Sequence, residues 1–146
     1  MKQKILLDTG PLVASINKKD CFFEWAINHF ENFKPPLLTC EPVLAESCFL
    51  LRKYPKGVAI IMELLNRKIL EVPFQIKSQV KSISGLLRKY SNVPMSLADA
   101  CLVRMSELFD HSTIMTTDTD FTIYRRHGRQ IIPILIPPDI WQPGCE

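Results

Sequence analysis

Four acidic side chains far apart in the sequence, Asp8, Glu46, Asp99 and Asp118, stand where carboxylates could act together. Asp8 follows the apolar run Ile5-Leu6-Leu7, and Asp118 follows Ile114-Met115-Thr116-Thr117, with Asp120 close behind. In open parallel α/β sheets, chemistry gathers beyond the carboxyl ends of the strands, so acids just after a strand-like run are candidates. Glu46 lies in the first turns of a helical segment that is apolar almost all round, which predicts partial burial of its carboxylate. Asp99 falls in the first turn of Ser96-Leu97-Ala98-Asp99-Ala100. Crowded carboxylates repel one another and raise one another's pKa, and a divalent cation removes that conflict. Magnesium or manganese, as one or two ions, suits an all-carboxylate set because both are hard and keep waters. His29, His111 and His127 match no zinc spacing with the cysteines, so zinc fits less well.

Each acid also has a plainer role open to it. Asp99 can complete a Ser-x-x-Asp capping arrangement, and Asp8 can be a turn residue before Gly10 and Pro11. Asp118 or Asp120 can cap a short helix running to Tyr124, and Glu46 can pair with a surface lysine. Four coincidences are a less economical account than one site. Three look-alike motifs fail on context. Asp8-Thr9-Gly10 is the tripeptide of aspartic proteases, but that fold is nearly all β, and here mainly helical segments follow. Asp118-Thr119-Asp120-Phe121-Thr122 imitates the Asp-x-Asp-x-Thr loop of haloacid-dehalogenase phosphatases, yet too little chain follows for their lysine and later acids. Receiver domains need a lysine after a late strand, where this chain has Pro137 and Pro138.

The elements that must position the acids can be read from hydrophobic period. Short apolar runs at 4–7, 37–40, 69–72, 113–116 and 131–136 predict five strands. Helical segments are predicted at 22–33, 42–54, 57–68, 76–90 and 97–109. The clearest carries Ile76, Val80, Ile83 and Leu87 as one stripe, with Lys77, Lys81 and Arg88 beside it. Pro42 suits a first helical turn and Ser96 an N-cap. Strands separated by helices must be mostly parallel, which gives a three-layer α/β sandwich. A chain of 146 residues is the size of one domain, here 1–146. Its 47% hydrophobic and 23% charged content excludes disordered and low-complexity classes. A net charge of +3 is too small to identify a nucleic-acid binder. Cys21, Cys40, Cys48, Cys101 and Cys145 form no CxxC pair, which suggests reducing cytosol. Asp8 interrupts the N-terminal apolar run before a signal-peptide core forms, and no run of about 18 apolar residues occurs. A cytoplasmic protein without a membrane segment is expected, with an extended surface tail at Pro137, Pro138 and Pro143.

In order and context these segments resemble the PIN-domain family, especially the small ribonuclease toxins of bacterial and archaeal toxin-antitoxin pairs. Ile5-Leu6-Leu7-Asp8-Thr9-Gly10-Pro11-Leu12-Val13-Ala14 looks like the family's opening strand and first acid. Pro42-Val43-Leu44-Ala45-Glu46 resembles the segment of the second acid, and Ser96-Leu97-Ala98-Asp99-Ala100 that of the third. Thr116-Thr117-Asp118-Thr119-Asp120-Phe121 resembles the closing motif, with Asp118 as the fourth acid and Asp120 supporting. The resemblance implies a parallel sheet in the order 3-2-1-4-5, a magnesium or manganese site, cleavage of RNA, a homodimer and a cognate antitoxin. Arg104 and Met105 depart from the pattern, standing where related helices often carry small residues.

On this reading Asp8, Glu46, Asp99 and Asp118 hold the metal, which activates water and stabilises charge at phosphorus. Thr9 and Thr117 would orient carboxylates or waters. Arg125 and Arg126 would grip the phosphate backbone, with Arg129 following. Lys18, Lys19 and the Lys77, Lys81 and Arg88 stripe could extend that track or simply be solvated. Phe121, Tyr124 and Trp141 could stack bases, although aromatics near a sheet edge are more often core. The competing reading is a noncatalytic PIN-like module that binds RNA or protein, against which the retention of all four acids argues.

Overall fold

The computed structural model describes residues 3–138. Trp141, Pro143 and Cys145, and the readings placed on them, lie outside the described residues. Strand β1 (Lys4–Leu7) buries Ile5, Leu6 and Leu7, as expected of a strand covered on both faces. On one side it pairs in parallel with β2 (Leu37–Leu38), Leu6 opposite Leu38, and β2 pairs with β3 (Leu70–Glu71). On the other side it pairs with β4 (Ser112–Met115), in register from Lys4 opposite Ser112 to Leu7 opposite Met115.

Six helices supply the crossovers and both outer layers: α1 (Thr9–Ile16), α2 (Phe23–Asn32), α3 (Glu41–Leu50), α4 (Gly57–Asn66), α5 (Val80–Lys89) and α6 (Leu97–Leu108). α6 is buried nearly all round, from Ala98 to Ser106 with Arg104 the partly exposed exception. Met105 is fully buried, while Arg104 donates to Gln79 at 2.8 Å and pairs with Glu107 at 3.1 Å. Cys40, Cys48 and Cys101 are free thiols, and Cys21 is disulfide-bonded. Hydrogen bonding to the Cys101 thiol and burial push Cys40 far up, so it stays a protonated core side chain. Among the described residues no helix is long and apolar enough to cross a membrane.

The fold differs from the expected elements in several places. No helix is expected at 9–16, yet α1 forms there; Pro11 is tolerated since its missing N–H lies in the first helical turn. The expected strand 131–136 is two strands. β5 (Arg125–Arg126) and β6 (Gln130–Ile131) form an antiparallel hairpin, turning through His127 at φ 50° and Gly128 at φ 82°. Only β7 (Ile134–Leu135) joins the main sheet, after Pro133, whose carbonyl accepts from Ile114 at 2.9 Å. The five parallel strands therefore lie in the order β3-β2-β1-β4-β7, the expected arrangement with β7 in the fifth place. α3 is covered on one side only: Val43 and Ser47 are buried, while Phe49 and Leu50 stay exposed, so apolarity all round did not mean burial all round. Finally, Pro137 is buried, whereas Pro138 is exposed as expected of a surface tail.

Candidate active site

The β1–β4 register builds the centre of the site. Leu7 lies opposite Met115, so the next residues, Asp8 and Thr116, are neighbours beyond the strand ends. The Asp8 amide donates to the Met115 carbonyl at 3.0 Å. Thr116 Oγ1 donates to Asp8 Oδ2 at 2.6 Å and accepts from the Asp118 amide at 2.9 Å. Asp118 in turn caps a short 3-10 turn (Thr119–Thr122), its Oδ1 accepting from the Asp120 amide at 2.8 Å. Asp8 also caps α1, its Oδ1 accepting from the Thr9 amide at 2.8 Å. One hydroxyl thus fixes the first and fourth acids together, and the capping roles coexist with the cluster.

Two helices bring the remaining acids. Thr9 Oγ1 donates to Glu46 Oε2 at 3.0 Å, tying α3 to the start of α1. In α6 the Asp99 amide donates to Ser96 Oγ at 3.0 Å, which is half of a capping box. The Asp99 carboxylate reaches back to Ser96 as well, and it also accepts from the Tyr124 hydroxyl at 2.8 Å. That carboxylate therefore links its own helix start to the chain that follows Asp118.

Asp8 and Asp99 are only 7% and 8% exposed, and burial dominates their electrostatics. It pushes Asp8 up to about 6; Asp99 and Asp118 add to the rise, and the bonds from Thr116 and Thr9 oppose it. Asp99 is raised by burial and by Asp118, against the Tyr124 and Ser96 bonds. Asp120 is raised by desolvation and by Asp118. Burial and the bond to Asp99 hold the Tyr124 phenol above its usual range, so it stays a protonated donor. The ion pairs among the described residues, Arg104 with Glu107 and His127 with Asp110, leave these acids without a protein cation.

The donor set therefore fits a hard divalent cation in chemistry: oxygen donors only, buried and uncompensated. Among the described residues no three acids stand close enough to enclose an ion by themselves. A cation held there would have to complete its shell with waters and substrate oxygens.

Several expected residues sit elsewhere. Glu46 is exposed rather than partly buried, because it lies on the uncovered side of α3. Thr117 packs over Gly10, where a β-carbon would overlap its Oγ1, and the hydroxyl that orients the acids is Thr116. Arg125 spends one terminal nitrogen on the carbonyls of Thr122, Ile123 and Tyr124, at 2.7, 3.2 and 3.1 Å. Arg126 donates to the carbonyls of Ser106 and Asp110 near the end of α6, at 3.1 and 3.3 Å. Phe121 and Tyr124 are buried, the core alternative to base stacking. Lys18, Lys19, Lys77, Lys81 and Arg88 are exposed. Two site partners were missed, Thr116 and Tyr124. The signal for Tyr124 was available: a tyrosine read as core must still find a partner for its hydroxyl.

No family model matches the chain, and no curated protein matches it. Among solved structures the fold is similar to that of VapC20 from Mycobacterium tuberculosis, described as a toxin that cleaves the sarcin-ricin loop. The TM-score is 0.74 at 19% identity, over 82% of this chain and 94% of that one. The chain thus shares the fold of that structure, the arrangement expected from the sequence.

Proposed function

We propose that this chain is a magnesium- or manganese-dependent endoribonuclease that hydrolyses RNA phosphodiester bonds, acting as the toxin of a toxin-antitoxin pair in the cytoplasm. The observation that carries the reading is the buried Asp8 carboxylate, raised by burial and by Asp99 and Asp118, with no cation among the described residues paired to it. The shared fold with a toxin described as cleaving the sarcin-ricin loop supports an RNA substrate. Asp8, Glu46, Asp99 and Asp118 would hold one or two ions, with Asp120 supporting. When bound, such a cation supplies acidity to a water and positive charge against the phosphorane-like transition state. Thr116 holds Asp8 and the Asp118 backbone in fixed relation, so the site need not reorganise as charge develops. Thr9 orients Glu46, and Thr117 keeps the fourth-acid loop seated on α1. Arg125 can meet a phosphate through its remaining guanidinium nitrogens, while Arg126 is more deeply committed to the end of α6. A homodimer and a cognate antitoxin belong to the same proposal.

The test is RNA cleavage with Mg2+ or Mn2+, in wild type and in Asp8→Asn and Asp99→Asn checked for folding by circular dichroism. Cleavage that needs the ion and disappears in both variants is expected; cleavage that persists in EDTA, or in both folded variants, overturns the proposal. A noncatalytic RNA- or protein-binding module remains the second reading, favoured by the one fact that no three described acids enclose an ion. Metal-independent RNA binding without cleavage would select it.

A further inference from the structure

We infer that Tyr124 is a positioning residue for the acidic cleft: its hydroxyl locks the Asp99 carboxylate through Oδ2 in the orientation that it offers to a divalent cation. This rests on the metal-site reading above. The Tyr124 hydroxyl donates to Asp99 Oδ2 at 2.8 Å, and the whole side chain is buried. The ring cannot swing, since it meets Tyr90 edge-on at 5.1 Å between centroids and Phe121 at 5.2 Å. Phe121 belongs to the same 3-10 turn that Asp118 caps, so the ring is fixed by the loop of the fourth acid.

Tyr90 secures the far side. Its hydroxyl accepts from the Arg125 amide at 2.8 Å, pinning the backbone one residue beyond Tyr124. The consequence is a fixed geometry across three separate stretches: α5 through Tyr90, α6 through Asp99, and the segment after β4 through Phe121 and Tyr124. A carboxylate on an isolated helix turn samples several rotamers, and ordering it on binding an ion costs affinity. A phenol that stays protonated orders it beforehand without adding charge, as partners behind a metal's ligands commonly do.

The experiment is Mn2+ binding to the metal-free full chain, read by electron paramagnetic resonance of free Mn2+, in wild type, Tyr124→Phe, Tyr90→Phe and Asp99→Asn. Tyr124→Phe keeps the ring and its edge contacts and should weaken Mn2+ about tenfold, the scale found for such outer partners. Its cleavage of RNA should recover toward wild type as Mn2+ is raised. Tyr90→Phe keeps the ring contact with Tyr124 but removes the bond to the Arg125 amide, so it should lower the unfolding temperature and weaken Mn2+ less than Tyr124→Phe does. Asp99→Asn should lose most binding. Unchanged affinity in folded Tyr124→Phe, with Asp99→Asn impaired, overturns this inference and leaves the metal site standing. Absence of Mn2+ binding in wild type overturns both. If Tyr124→Phe does not fold, the near-ultraviolet difference spectrum of wild type on adding Mg2+ decides: a shifted tyrosine band supports the coupling, and no shift overturns it.

Discussion

The acidic cleft, whose last acid is Asp118, and the basic hairpin that follows that acid in sequence treat charge in opposite ways. In the cleft, Asp8 and Asp99 are buried among hydroxyls and amides, and no cation among the described residues pairs with them. In the hairpin, Arg125 and Arg126 are half-buried and turn their guanidinium groups to backbone carbonyls, those of Arg126 near the end of α6. Cations placed against helix carboxyl ends answer a partial negative charge already present, so they stabilise the architecture. Buried acids placed against one another do the reverse, which a folded chain tolerates where something else completes the set. Charge left open marks the candidate site, and charge absorbed by the backbone marks its support.

That contrast breaks most sharply at Asp99. Asp99→Asn should cut metal-dependent RNA cleavage by about a thousandfold or more, at or beyond the cost of losing one transition-state donor. A smaller loss in single-turnover assays would mean that the cleft is architecture after all. Next in size is a pH effect without metal. The folded pKa of Asp8, about 6, lies above its ordinary 3.8, so the unfolded chain releases this proton first as pH rises. Stability from this group is therefore highest near pH 4, falls between about pH 4 and 6, and levels off roughly 3 kcal/mol lower. Asp8→Asn should match wild type near pH 4 and exceed it by about that amount at neutral pH in EDTA, measured by urea unfolding. Saturating Mg2+ should shrink the gap.

On the hairpin side, Arg126→Ala should cost about 2 kcal/mol of stability, the scale for charge-assisted bonds to partly buried groups, with cleavage per folded molecule unchanged. Lost cleavage at full stability would move Arg126 into the site. The smallest effect is expected of Arg125→Ala: KM for RNA rises a few-fold, and the slope of binding against salt falls by about one ion. An unchanged salt slope would place Arg125 wholly with the architecture.

Much of this was legible because parallel strands announce themselves. Unbroken apolar runs at Ile5-Leu6-Leu7 and Ile114-Met115 located the two central strands, and the acids after them followed from the topology. Register was not legible, and it decides which threonine matters. Pairing Leu7 with Met115 sets Thr116, not Thr117, beside Asp8. The hairpin left little trace, since two-residue strands show no alternation and Arg125-Arg126 looks like a solvated pair; the His127-Gly128 turn was its main mark. Glu46 was misjudged because composition reports how apolar a helix is, not which of its sides another element covers.

Gly10 carries one more implication. The first turn of α1 and the segment leading to Asp118 touch there without an intervening side chain, under Thr117. An added methyl acts as a shim, prising the carboxyl-terminal wall of the pocket off its amino-terminal wall. Alanine, serine and valine at this position would form a graded series of spacers, and the gauge of the gap between Asp8 and Asp118 is set by the smallest side group available to a protein.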